Sequence, residues 1–130
     1  MFSFKPLLDE LFTPGSAITG IASESIALGQ FVAVSTNGKK PNPTIGVAPA
    51  GTYPLGIAQD SADKDNKVTV QRGNARCFRV PTTASITAGQ LLQVGTNGQP
   101  EPLTAGEDAP TAIARALFNS EDGHVDLTLI

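Results

Sequence analysis

The side chains best equipped for chemistry in this chain are few and scattered. His124 is the one histidine, Cys77 the one cysteine, and Asp60, Asp63, Lys64, Asp65 and Lys67 form the most charged run. A catalytic set needs a nucleophile held against a base, or an acid held against a base. His124 has only Asp122 and Asp126 beside it, in what reads as a polar Asp-Gly-His turn. Cys77 lies between Arg76 and Phe78 in a strand-like run with no histidine nearby, so it reads as a small, half-buried apolar residue. The acidic run lacks the spacing of a calcium loop: Lys67 falls at the fifth position and no glycine follows at the sixth. It reads as a solvated turn between strands. No G-x-S-x-G, H-E-x-x-H, P-loop or C-x-x-C occurs, and the glycines stand at turns and not ahead of a capped helix. The expectation is a protein without catalytic residues, cofactor or metal, one that works through its surface.

What must position that surface is a doubled stretch. Residues 25–38, SIALGQFVAVSTNG, return as residues 85–98, SITAGQLLQVGTNG, at an offset of 60 with eight of fourteen positions identical. A repeat at fixed offset marks one supersecondary unit used twice. In each copy Gly-Gln closes a turn, the next four residues form a strand, and Asn-Gly supplies the positive-φ residues of a hairpin turn. Further strands are expected at residues 45–48, 55–58, 68–72 and 75–80, the last ending at Pro81. In the second half Ala112, Ile113 and Ala114 answer Gly56, Ile57 and Ala58, and Val125, Asp126 and Leu127 echo Val68, Thr69 and Val70. Residues 109–119 read as strand, with a short helix as the alternative. The residues from Pro100 through Pro102 to Pro110 read as a loop, as do those around Pro41 to Pro43 and Pro49 to Pro54. The apolar C-terminus is expected to be tied into a sheet.

The first residues are different in kind. Phe4, Leu7, Leu8, Leu11 and Phe12 follow the i, i+3, i+4, i+7, i+8 spacing of one helical face, with Thr13, Pro14 and Gly15 stopping it. A helix this short is marginal alone, so its apolar face must dock, either on its own domain or on a neighbouring subunit or larger assembly. Phe2, Phe4, Leu7, Leu8, Leu11, Phe12 and Pro14 are therefore the candidate partner-binding residues.

Composition bounds the rest. The chain has 130 residues, 13 Gly, 10 Pro, 40% hydrophobic and 16% charged residues, which suits short strands and tight turns. The expected fold is mainly β: a small β-barrel or β-sandwich built from two related halves, with a short N-terminal arm or helix. The expected domains are an arm over residues 1–20 and one β domain over 21–130, its pseudo-repeat spanning 25–71 and 85–129. A net charge of -3 disfavours a nucleic-acid partner. No apolar span of membrane length and no secretory signal is evident, so neither a membrane partner nor export is expected.

With its paired I-x-x-G-Q units, the Gly56-Ile57-Ala58 strand, the run from Ala112 to Leu117, and a Gly-Asn or Asp-Gly turn before an alternating strand, the region from residue 25 onward resembles the capsid decoration, or cement, proteins of tailed bacteriophages. The resemblance implies a homo-oligomer, commonly a trimer, made in the host cytoplasm and seated on the outer surface of the capsid. There it would clamp neighbouring major capsid protein subunits. A virion fibre base, or a receptor- or carbohydrate-binding module, is the alternative with the same type of fold; the 5% aromatic content speaks against sugar binding.

Overall fold

In the computed structural model, described for residues 8, 11–12, 15–36, 38–103 and 112–130, the chain crosses itself in two successive five-stranded units. The first comprises β1 (Ala17–Ala22), β2 (Phe31–Val34), β3 (Thr44–Val47), β4 (Gly56–Ala58) and β5 (Lys67–Gln71). It closes into a barrel in the order β1-β3-β2-β4-β5. The second comprises β6 (Cys77–Pro81), β7 (Leu91–Val94), β8 (Pro100–Pro102), β9 (Ala114–Ala116) and β10 (His124–Leu129). It forms a sheet in the order β6-β10-β9-β7-β8. Strand for strand the pairings repeat: β1 with β5 as β6 with β10, β2 with β3 as β7 with β8, β2 with β4 as β7 with β9. The architecture is mainly β, a small barrel joined to a second sheet. β1 begins before residue 21, so the barrel's first strand crosses the boundary drawn from sequence between arm and domain.

One difference between the two units falls at a proline. In the first, the Ile21 N–H donates to Pro43 O (2.9 Å) and the Ser23 N–H to Ile45 O (2.8 Å), and this parallel pairing closes the barrel. Sixty residues on, Pro81 stands in the place of Ile21 and has no N–H to donate. The second unit therefore stays open between β6 and β8. Side chains span the gap instead: Thr82 Oγ1 donates to Pro100 O at 2.9 Å, and the Thr83 N–H donates to Gln99 Oε1 at 3.2 Å.

Two cores fill the molecule. Ala22, Ile26, Val32, Ile45, Ala58, Val68 and Val70 fill the barrel. Phe31, one residue along β2, points out of that barrel and joins Ala48 and Ile57 in the core of the second unit, among Val80, Leu92, Val94, Val125 and Leu127. Period-two alternation thus sends one strand's side chains into both cores.

The repeated glycine and glutamine make the same turn twice. Gly29 has φ 83° and Gly89 φ 87°, backbone that other residues adopt only with strain. The glutamine side chain then satisfies the turn it follows: the Ala27 N–H donates to Gln30 Oε1 at 2.8 Å, and the Thr87 N–H to Gln90 Oε1 at 2.7 Å.

Several elements depart from the sequence reading. The prolines placed in a loop at Pro100 and Pro102 form β8. Proline is tolerated there because β8 is an edge, and because residues 99 and 103 carry the flanking bonds, Gly95 N–H to Gln99 O (2.7 Å) and Leu103 N–H to Leu91 O (3.0 Å). Bonding residues alternate, so the missing donors at 100 and 102 face away from β7. Between β2 and β3 the chain makes a nine-residue excursion, from 35 to 43, with a bridge of Lys39 to Asn42 and a cis Lys40-Pro41 bond. Asn37, of the hairpin turn expected there, lies outside the described residues. In the second copy Asn97 and Gly98 do take positive φ, 58° and 65°, inside the short turn Thr96–Gly98. Residues 114–116 are strand, the sequence reading preferred over a helix.

Candidate interaction surface

The arm is described at Leu8, Leu11 and Phe12, none of which lies in a helix or strand. Leu8 is fully exposed and Leu11 is 84% exposed. Phe12 is half-buried. Phe2, Phe4, Leu7 and Pro14 lie outside the described residues. The chain enters the barrel at Ser16, whose carbonyl accepts from the Arg72 N–H (2.9 Å) and from Arg76 Nη1 (3.0 Å). Arg76 Nη1 also donates to Gln71 Oε1 at 2.6 Å, and its guanidinium lies 4.9 Å from the centroid of the Phe78 ring. One cation therefore ties the root of the arm to the first residues of β6.

Cys77 is exposed, not half-buried. β6 alternates, with Val80 buried and Phe78 half-buried on one side and Cys77 and Arg79 exposed on the other. The thiol falls on the outward side of an edge strand, where nothing covers it among the described residues. Beside it Arg79 and Asp126 form a two-point ion pair, Nε to Oδ1 at 2.7 Å and Nη2 to Oδ2 at 3.0 Å. The hydrogen bond from Arg79 holds the Asp126 carboxyl below the usual carboxylate range, against partial desolvation; the same bond raises the Arg79 guanidinium.

Over the outer face of β6 and β10, next to this edge and reaching the end of β9, lies a shallow groove lined by Cys77, Phe78, Arg79, Leu117, Phe118 and Asp126. Leu117 is 41% and Phe118 63% exposed. Sequence reasoning took both residues into the strand expected over 109–119 and did not single out Phe118 as a surface residue. The available signal was two large apolar residues in succession after β9, which alternation along a half-buried strand does not explain. Across the junction of the two units, a cleft of about 190 Å³ is lined by Phe31, Tyr53, Arg72, Asn74, Ile113 and Ile130 among others.

His124 opens β10 and does not sit in the turn. The Glu121 and His124 backbones exchange both bonds at 3.0 Å, while Asp122 and Gly123 make the turn with φ 50° and 80°. Asp60, Asp63, Lys64, Asp65 and Lys67 are exposed. Among the described residues no three His, Cys, Asp or Glu side chains converge as a metal site, and no helix is long and apolar enough to cross a membrane. Of the proline loops, residues 49–54 are tied down: Thr52 Oγ1 donates to Pro49 O at 2.6 Å, and the Gly51 N–H donates to Val94 O at 2.8 Å. Tyr53 stands out from that loop, 63% exposed. Residues 104–110 of the last loop lie outside the described residues.

What this arrangement defines is a two-unit β fold with apolar surface along one open edge. No protein-family model matches the sequence, and no curated protein matches it. Among solved structures, the fold is similar to the N base of head fiber gp8.5 in bacteriophage phi29. That similarity has a TM-score of 0.74 at 23% identity and covers 88% of this chain and 92% of that one. It shows a shared fold.

Proposed function

We propose that this chain is a structural virion protein on the outside of a bacteriophage head, acting as a homo-oligomer without catalysis. The observation that carries the reading is the fold shared with a head fiber base over nearly the full length of both chains. It agrees with the resemblance that the repeated I-x-x-G-Q units suggest. The physics suits such a role. A subunit that binds the assembled shell and not its dissociated parts stabilises the shell by linkage, and tethered copies multiply a modest contact. In this reading the chain is a decoration subunit clamping the major capsid protein, with the arm from Phe2 to Pro14 packing on the shell or on an adjacent copy. The fiber base likeness specifically favours a second reading, in which the domain anchors a fiber to the head.

One experiment serves both. Heads assembled without this protein are mixed with the purified chain, and bound copies and the temperature of head disruption are measured. Stoichiometric binding with a raised disruption temperature supports the decoration reading, and binding at few sites without that rise supports the anchor. Absence of binding overturns both.

A further inference from the structure

We propose that the groove beside β6 receives the N-terminal arm of a second copy of this chain. Three observations converge on it. First, β6 is an edge strand whose inward bonds go to β10 through even-numbered residues, as in Leu129 N–H to Arg76 O (2.9 Å) and Thr82 N–H to Gly123 O (3.0 Å). By alternation the backbone groups of Cys77 and Arg79 face outward, and no described residue pairs with them. Such an edge is a template for an added chain.

Second, the groove and the arm match in kind. The chain has six phenylalanines. Phe2, Phe4 and Phe12 are in the arm, Phe78 and Phe118 line the groove, and Phe31 is buried between the two units. Leu7, Leu8 and Leu11 in the arm sequence and Leu117 in the groove are further counterparts in apolar character. The other large exposed hydrophobics, Leu28, Val34, Tyr53 and Ile130, belong to separate elements and form no comparable groove with one another.

Third, the arm leaves the barrel at Ser16, held by the Arg76 guanidinium that also lies over Phe78. It starts next to its own groove, yet Leu8 is 100% and Leu11 84% exposed. Leu8 and Leu11 are thus uncovered by their own copy, while Phe12, nearer the barrel, is half-buried. At about 3.3 Å per residue, the eight steps from Ser16 to Leu8 reach about 26 Å, enough to cross to a neighbour. An exposed arm and an exposed groove of the same character on every copy satisfy each other by exchange.

The inference deepens the arm's role proposed above, and it is tested on the purified chain without heads. Cys77, the sole cysteine, lies in the groove and serves as the reporter. In Leu11→Cys, mild oxidation should link separate copies at least about tenfold faster than in Val34→Cys, at a site also exposed but on the barrel, because docking raises the effective concentration. The link should vanish when Cys77→Ser is added. Deleting residues 2–14, and separately Phe118→Ser, should each lower the oligomeric mass in light scattering; both changes leave the described strands intact in sequence. Linking no faster than in Val34→Cys, a bond formed only within one copy, or an unchanged mass in both variants overturns the proposal. Binding to heads, read separately, survives that failure if the barrel surface carries it.

Discussion

Gln30 Nε2 donates to the carbonyl of Asn97 at 2.7 Å, joining the turn of one copy of the repeat to the Thr-Asn-Gly turn of the other. Its counterpart Gln90 caps its own turn in the same way and, among the bonds described, makes no such crossing. Gln30→Ala should therefore cost about 1–2 kcal/mol and Gln90→Ala about 0.5–1 kcal/mol, read as urea midpoints at constant slope. Equal losses would mean that the crossing bond contributes nothing.

The two glycines of the repeat should part in the same way. A Cβ on Gly29 would stand 2.5 Å from Pro81 Cδ, whereas one on Gly89 would meet nothing within 4 Å. Gly89→Ala should cost only the strain of positive φ, about 1 kcal/mol. Gly29→Ala should add an overpacking cost of about 1–3 kcal/mol. Thermal unfolding of the pair checks the order.

Phe31 is wholly buried and belongs to the core of the unit that it does not help to form a sheet with. Phe31→Ala should cost about 3–5 kcal/mol and leave both units unfolding together. Near-ultraviolet and far-ultraviolet circular dichroism should give coincident transitions; separated ones would show that the units hold themselves up.

The Arg79 and Asp126 pair fixes a pH dependence. Because the folded-state carboxyl is depressed, its contribution is present above the unfolded value of about 3.9 and is lost as pH falls through the lower folded value. The raised Arg79 contributes throughout working conditions and loses that contribution only as pH rises above its ordinary range. Asp126→Asn should lower the urea midpoint slightly at pH 7, since the pair is solvent-screened. The gap from the parent should close below about pH 4. A gap that is constant with pH would point to a non-ionic cause.

Much of the scaffold was legible because its signals are local. Gly29 and Gly89 need positive φ, and the apolar residues after each Gln alternate or run as buried strands do. The fate of Phe31 was not legible: alternation tells that it and Val32 face opposite ways, but not that both faces are buried. Pro100 and Pro102 misled because proline's cost depends on which side of a strand its nitrogen faces, a fact of sheet order. Cys77 misled in the converse sense, since a residue type that is usually buried came to lie on the outer side of an edge strand. Phe118 went unread because an unpartnered aromatic looks, in sequence, like any core residue.

The prolines of β8 also limit the valence of the molecule. The barrel has no rim, β8 presents no outward N–H at residues 100 and 102, and β6 alone among the described strands presents both donors and acceptors to an incoming chain. A strand added at β6 carries an outer edge of its own, so growth beyond it depends on the added chain and not on β6. Copies crowded together at high local density therefore have a single described edge, that of β6, at which a further chain can pair.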